Sequence, residues 1–358
     1  MYRIATIIQP KQRRPIMKFY CGIDLHATNS FLCVIDDKDN ISLKEKVKND
    51  LGAILYALES FSPRPFVVVE ATINWYWLVD GLQEAGFDVK LAHTMALYMI
   101  TGAKIKTDRR DAFSLAKLLR LDAIPEAYIY PKNKRPIRDL LRKRKKVVNL
   151  RANAYGALRR VLLQHGIYGY SQAGIKSLTE EQLDQHLEHC ATQAGCHLEV
   201  QRIRFYSYQI KTLENIILSS VDDDRGFELL QTIPGVGKIL ALTILYESGD
   251  IERFQSAKQF CSYARVVPGI AQSGGISKRG RGSKQGNAHL KWAFCQAAAL
   301  SVRYNTRIRK FRQRHLARRR SKAKKLVTLC IVAHKLATAA YNVLKDRVPF
   351  KQELMFGS

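Results

Sequence analysis

The chain has 358 residues, 46% of them hydrophobic and 25% charged, a globular composition long enough for two or three domains with real cores. Its 59 Lys and Arg stand against 31 Asp and Glu, a formal net charge of +28 that a fold does not need and that repels itself, so a polyanionic partner is implied. The seven cysteines at 21, 33, 190, 196, 261, 295 and 330 are odd in number and far apart, which excludes a disulfide framework, and no run of about 18 apolar residues offers a membrane span.

Residues 1–17 are basic and carry only the short stretch Ala5-Thr6-Ile7-Ile8, so no signal peptide is expected. A start at Met17, with 1–16 a disordered extension, is expected instead. Residues 19–35 read as two strands joined by a polar turn at Ala27–Asn29, and Ile41 to Val47 as a third. Leu51 to Phe61 has helical spacing and stops before Pro63 and Pro65. Phe66 to Glu70 is a buried-strand pattern, Trp75 to Ala85 a helix closed by Gly86, and Val89 to Ala92 another strand. A mixed sheet with helices packed on it is predicted. Asp108 to Leu121 reads as a helix, and Pro125, Pro131 and Pro136 mark a break after it. A basic helix then runs from Ile137 to about Gln164. Lys132 to Arg160 holds twelve Lys and Arg, among them Arg142, Lys143, Arg144, Lys145 and Lys146, against one acid, Asp139. Gly166 to Gly174 interrupts, and a second helix is expected from about Glu180 to Ser219, giving a helical hairpin or coiled-coil arm. From Phe227 the pattern turns to short helices and Gly-rich turns. Between Glu252 and Asp346 there is no acid at all, yet 22 Lys and Arg. Phosphate is the natural counter-charge. The basic stretches lack a Trp-flanked apolar face, which favours nucleic acid over a membrane surface.

Four acids stand out. Asp24 sits inside the apolar strand Gly22-Ile23-Asp24-Leu25, and Glu70 ends the Val67–Val69 strand. Asp108 and Asp111 lie three apart at a helix start, on one face. Taken singly, Asp108 reads as an N-cap, Asp111 as a first-turn acid suited to the helix dipole, and Glu70 as a solvated strand end. Asp24 resists such a reading, because a carboxylate in apolar surroundings is costly unless a cation or hydrogen bonds offset it. Mg²⁺ takes carboxylate oxygens and leaves room for substrate phosphates.

Gly22-Ile23-Asp24, Glu70-Ala71-Thr72 and Lys106-Thr107-Asp108 with Asp111-Ala112 resemble the DEDD-type insertion-sequence transposases, a family that includes a pilin-gene invertase. The resemblance implies an RNase H-like (RuvC-like) N-terminal domain in which Asp24, Glu70, Asp108 and Asp111 bind Mg²⁺, two ions per site. Thr72-Ile73-Asn74-Trp75-Tyr76 departs mildly from the family's Gly-Thr-Tyr.

In the C-terminal half, Leu230 to Lys238 with Ala241 and Leu242 looks like a helix-hairpin-helix. There Gly235 and Gly237 let backbone N–H groups approach a phosphate, and Lys238 opens the next helix. A plain Pro-Gly turn between core helices is the alternative. Pro268 to Gly280 is a Gly-rich basic loop with Lys278 and Arg279, followed by Arg281 and Lys284. A serine among such cations can attack a phosphodiester; from spacing alone Ser273, Ser277 and Ser283 compete, and a mere turn role stays open. Residues 230–304 resemble the C-terminal domain of the same transposases, and Gln272-Ser273-Gly274 matches its nucleophile motif. The resemblance implies a phosphoserine intermediate at Ser273 and a composite site whose halves come from different protomers of a dimer or tetramer. It also implies a structured bridge RNA pairing with donor and target DNA. The segment Arg303 to Lys325, with Arg318, Arg319 and Arg320, is expected to contact phosphate, and Leu326–Ala340 to dock back on the domain. His186, His189, Cys190, Cys196 and His197 offer zinc ligands, but in no recognisable finger spacing.

The expected architecture is therefore α/β plus α: a catalytic domain over 18–131, a helical arm over 132–225 and a mostly helical basic domain over 226–350. The expected function is DNA recombination in a bacterial cytoplasm, at the nucleoid and without a membrane. The rivals are a resolvase-like metal nuclease that uses water, and a non-catalytic nucleic-acid-binding protein.

Overall fold

A computed structural model describes residues 17–101, 108–221, 224–273, 276–280, 285–320 and 323–356, with backbone alone at 98–101, 108–109, 172, 269–273 and 276–280. The chain divides into two compact units, residues 1–132 and 133–358.

The first unit is built on β1 (Tyr20–Leu25), β2 (Asn29–Ile35), β3 (Ile41–Lys48), α1 (Leu51–Glu59), β4 (Phe66–Glu70), α2 (Trp75–Glu84), β5 (Val89–Ala92), α3 (Thr94–Thr101) and α4 (Asp108–Arg120). The strands form one mixed sheet in the order β3-β2-β1-β4-β5. The β1–β2 and β2–β3 pairs are antiparallel, and β1–β4 and β4–β5 are parallel. Because strand side chains alternate, each strand serves two cores. Cys21, Ile23, Leu32, Val34, Val67 and Val69 pack with Ile54, Leu58, Leu78 and Leu82 of α1 and α2. On the other face Val68, Cys33 and Ile35 meet Ala112, Leu115, Ala116 and Leu119 of α4. Gly22 is required there: a Cβ would lie 2.1 Å from the Ala112 carbonyl oxygen and 2.6 Å from the Ala116 nitrogen. Four acids of this unit answer its cations. Arg120 forks onto Asp39 at 2.6 and 3.1 Å, and Lys90 meets Asp122 at 3.0 Å and Glu126 at 2.6 Å. Lys132 pairs with Glu84 at 2.7 Å.

The second unit begins with α5 (Arg135–Gln164), followed by α6 (Gln172–Ser177), α7 (Glu180–His186) and α8 (Cys190–Ser219). Arg144 meets Glu214 and Arg151 meets Ser207, so α5 and α8 run antiparallel as a hairpin. Its far end is capped by Ile175, Leu178, Leu183 and Leu187 packed on Leu158, Leu162, Cys196 and Val200. The expected helix from Glu180 is corrected here. A capping box of Thr179 and Gln182 starts the short α7, Leu187 turns extended into the core, and His189 recaps the chain as α8. The zinc alternative has no support among the described residues, where no group of three His, Cys, Asp or Glu converges. His186 meets the Tyr170 hydroxyl at 2.9 Å, His197 meets Asp184 at 2.8 Å, and His189 is a helix cap.

Beyond the hairpin lie α9 (Arg225–Gln231), α10 (Lys238–Ser248), α11 (Ala257–Tyr263), β6 (Gly269–Ser273), β7 (Ile276–Gly280), α12 (Ala288–Tyr304), α13 (Thr306–Ala317), α14 (Lys324–Asp346) and α15 (Gln352–Phe356). Phe260, Phe294, Ala297, Val332, Leu336 and Ala340 are in its core. Among the described helices α14 alone is long and apolar enough to cross a membrane, but half of that stretch is buried in this core. The base of the hairpin joins the same unit, since Leu141 and Ile217 pack with Leu242 of α10. All seven cysteines are free.

Candidate active site

In the first unit the carboxylates gather at one end of the sheet. Asp24 is 5% exposed, two residues after Gly22 and hence on the α4 face of β1. The parallel register pairs Ile23 with Val69, so Asp24 and Glu70 follow side by side at the ends of adjacent strands. Glu70 also falls on the α4 face, because Val67 and Val69 face the other way. The direction of α4 brings its first turn to the same end. Ala112 and Ala116 cover Gly22, while Leu118 and Leu119 pack near Tyr20, and Arg120 reaches the β2–β3 turn through Asp39. The helix thus runs against β1, and Asp111, half-buried in its first turn, lies beside the strand ends. The Asp108 side chain lies outside the described residues, as do residues 102–107.

Asp24 is not bare. Its Oδ2 lies 3.1 Å from Nε2 of the exposed His26. Two asparagines hold the backbone there: Asn49 and Asn74 each donate to the His26 carbonyl oxygen, at 2.8 and 2.9 Å. The Thr72 hydroxyl in turn donates to Asn74 Oδ1 at 3.0 Å. These contacts tie the β1, β3 and β4 loop ends together, and the side chain doing so, Asn74, is part of the departure from the family pattern. The asparagine contacts did not stand out in the sequence, because Asn49 and Asn74 lie 23 and 48 residues from His26. Among the described residues the carboxylates of Glu70 and Asp111 make no hydrogen bond or ion pair, and no three acids close around a single point. Such a set suits Mg²⁺, which needs only one or two carboxylates and fills its other positions with water and substrate phosphates.

In the second unit the segment expected as a loop over Pro268–Gly280 is a two-stranded antiparallel hairpin. Ser273 pairs with Ile276 at its tip. The side chains of Ser273, Ser277, Lys278 and Arg279 lie outside the described residues, as do Gly274, Gly275, Arg281, Ser283 and Lys284. The hairpin's return is anchored. Gly286 has φ +96° and a Cβ there would be 2.4 Å from the Tyr263 carbonyl oxygen. Asn287 N donates to that same oxygen at 2.6 Å, while its side chain caps α12. Its Nδ2 donates to Glu247 Oε2 at 2.7 Å.

Glu247, on α10 and 2% exposed, is the hub of this region. Arg142 of α5 forks onto it at 2.6 and 2.7 Å. Burial on its own raises the Glu247 pKa, but the Arg142 hydrogen bonds and charge, with Asn287, bring it below the ordinary carboxylate range. One carboxylate thereby joins the hairpin base, α10 and the return of the serine hairpin. Three expected phosphate ligands consequently have other partners. Arg142 is paired with Glu247, Arg144 with Glu214, and Lys145 lies 5.1 Å from the Trp292 ring centre, where burial lowers its pKa. Lys143 and Lys146 point outward.

The two glycines of the Pro-Gly turn have different roles. Gly235 has φ +82°, and a Cβ would lie 2.3 Å from the Ala297 carbonyl oxygen, so it is needed for packing on α12. Gly237 is exposed, opens α10 and has nothing within 4 Å of a built Cβ; Lys238 beside it is exposed too. In the acid-free stretch the arginines use carbonyl oxygens and rings. Arg309 donates to Val302 and Arg303, Arg312 to Lys325, and Arg253 stacks on Phe254 and Tyr263 at 4.1 and 4.4 Å. Lys345 and Arg307 use acids just outside it, Glu252 and Glu353. Arg318 and Arg320 are exposed and Arg319 half-buried.

Residues 21–167 match a transposase family model of the DEDD IS110 type, and residues 227–313 match the model described as the Transposase IS116/IS110/IS902 family. The chain is 28% identical over 335 residues to y4qE of Sinorhizobium fredii, covering 92% of this chain and 82% of that one. It is 24% identical to the transposase for insertion sequence element IS1328 of Yersinia enterocolitica, over 92% of this chain and 98% of that one. The pilin gene-inverting protein of Moraxella bovis is 32% identical over 42% of this chain and 48% of its own.

Proposed function

The chain belongs to the IS110-type transposases, DNA-recombining enzymes, and from that premise we propose that it cuts and rejoins insertion-element DNA with an Asp24, Glu70, Asp108 and Asp111 metal set and Ser273 as nucleophile. The observation that carries this reading is the meeting of Asp24 and Glu70 at the ends of adjacent parallel strands, on the face whose helix holds Asp111 in its first turn. The sheet order, with an antiparallel β1–β2–β3 meander continued by parallel β4 and β5, supports an RNase H-like domain. Magnesium held by these carboxylates supplies charge for the attacking and leaving oxygens of phosphoryl transfer.

The chain's own groups do the rest. Asp24, buried beside His26, is a fixed anion, and Asn49 and Asn74 keep its strand end rigid. The Ser273 hydroxyl oxygen bonds to the scissile phosphorus while the P–O bond to the deoxyribose breaks. The serine proton is given up, and the leaving oxygen takes a proton. A hydroxyl of the partner strand then attacks the phosphoserine, and the serine recovers its proton. Glu247, Asn287 and Arg142 are positioning residues for the hairpin that carries Ser273. The division into a catalytic domain, an arm and a serine-bearing domain follows the same reading, with a helix-hairpin-helix at Gly237 and Lys238. So do composite sites between protomers, a guiding bridge RNA, donor and target DNA as partners, and action at the nucleoid.

The experiment is strand transfer by the full chain with donor and target DNA, the RNA of the flanking region and Mg²⁺. Ser273→Ala is expected to lose both the covalent protein–DNA adduct and the joined product. Asp24→Asn is expected to slow strand transfer by roughly a thousandfold or more, the several kcal/mol that metal-assisted charge stabilisation supplies. Cleavage without an adduct, unchanged in Ser273→Ala, would replace this reading with a water-using metal nuclease.

A further inference from the structure

The second unit contains a cavity that this chemistry does not use. It opens among α13, α14 and α15 and has a volume of about 300 Å³, at the small end of ligand pockets. Its inner wall is aromatic. Phe356 is buried and meets Phe311 edge-on at 5.2 Å, and the His315 ring stands 4.6 Å from Phe311. Lys335 is held at the wall, its Nζ donating to the Met355 carbonyl oxygen at 2.9 Å and lying 5.6 Å from the Phe311 ring centre. Arg314 and Arg318 are one helical turn apart and exposed, and their guanidinium groups make no hydrogen bond or ion pair among the described residues. No carboxylate lines the cavity among those residues.

We infer that this cavity takes one unpaired nucleotide of the bound nucleic acid, its base against Phe311 and His315 and its phosphate between Arg314 and Arg318. The inference rests on the reading of this unit as nucleic-acid-binding. A surface that only tracked phosphates would need no aromatic wall. A base stacked inside a duplex has no free face to offer one, whereas an unpaired base does. The volume admits a single nucleotide and no duplex. Among the described residues the charged groups facing His315 are cations: Arg314 on its own helix, Arg318 and Arg319 just past that helix's end, and Lys335 on α14. Burial first, and these cations next, keep its imidazole below its ordinary pKa, and an uncharged ring suits stacking.

The test uses the full chain with a chelator present, so that no metal-dependent cleavage of the probes intervenes. The probes are a short oligothymidine and a short oligouridine, each carrying one 2-aminopurine, and a DNA duplex with the 2-aminopurine paired. Quenching of the single-stranded probe on binding is expected, with none for the duplex. Arg314→Gln with Arg318→Gln, two exposed side chains, is expected to abolish the quenching and weaken single-strand binding roughly tenfold. Phe311→Leu is expected to abolish quenching while largely keeping affinity, with its melting curve recorded beside it. Quenching of the DNA probe, the RNA probe or both supports the inference and names the source. Quenching that persists in the arginine variant, or an equally quenched duplex, overturns it. Duplex binding without any quenching overturns the cavity alone, and failure to bind any probe overturns the nucleic-acid reading with it.

Discussion

In the first unit Arg120 is answered by the carboxylate of Asp39; in the second, Arg309 is answered by the carbonyl oxygens of Val302 and Arg303. That contrast runs through both. In the N-terminal unit Lys90, Lys117 and Arg120 pair with acids, and Asp24, Glu70 and Asp111 lie at one end of the sheet. The acid-free C-terminal stretch solvates its arginines with backbone and ring faces, and the charges left over are outward cations such as Arg314 and Arg318. A folded chain tolerates charge only where something replaces water. Outward cations such as Arg314 and Arg318 suit a polyanionic partner.

The buried Glu247–Arg142 pair of the second unit is where the contrast is most easily broken. Arg142→Ala leaves Glu247 buried without its counter-charge and is expected to destabilise the unit by about 3 kcal/mol, seen as a lower Tm. Arg142→Met with Glu247→Gln is expected to recover most of that loss. Because folding lowers the Glu247 pKa, its contribution is present above the carboxylate's unfolded pKa and is lost as pH falls through the lower folded value. Thermal melts from pH 7 downward should show that acid sensitivity in the wild type, at most about 1.4 kcal/mol per pH unit for one proton, and a flatter profile in the double variant.

The glycines of the Pro-Gly turn sharpen the comparison between packing and binding. Gly235→Ala, at φ +82° against the α12 backbone, is expected to cost roughly 1–3 kcal/mol of stability. Gly237→Ala is expected to cost less than about 1 kcal/mol, since its surroundings are open. Chemical denaturation of the two variants separates the roles. The smallest effect concerns the basic helix α5. Lys143→Ala with Lys146→Ala should lower the salt slope of DNA binding by about one per phosphate contact removed. Arg144→Ala should leave that slope unchanged, because Arg144 is occupied by Glu214. A slope that drops equally in both would break the distinction between answered and unanswered cations.

Much of the first unit was legible from the chain alone. The strands over 19–35 and 41–47, the buried-strand run ending at Glu70 and the helix starting at Asp108 all lie close to their observed bounds, because each carries a local period or a stop signal. The second unit was less legible. The helix expected from Glu180 breaks at Leu187–His189, where a capping box and a buried leucine outweigh helical spacing. The Gly-rich stretch at 268–280 pairs with itself as a hairpin, although its glycines suggested a loop. Arg142 and Arg144 read as part of a basic run, since Glu247 and Glu214 lie 105 and 70 residues away.

The sequence by itself determined the excess of positive charge, the acid-free stretch, the position of Asp24 in an apolar strand and the motifs that resemble the transposases, because composition and near-neighbour spacing are local properties. The tertiary structure alone decided that Asp24 and Glu70 share a face and register, that Gly235 serves α12, and which cations of the basic helix remain outward. Each of these depends on a partner brought in from a distant part of the chain, and only the packed backbone sets which partner that is.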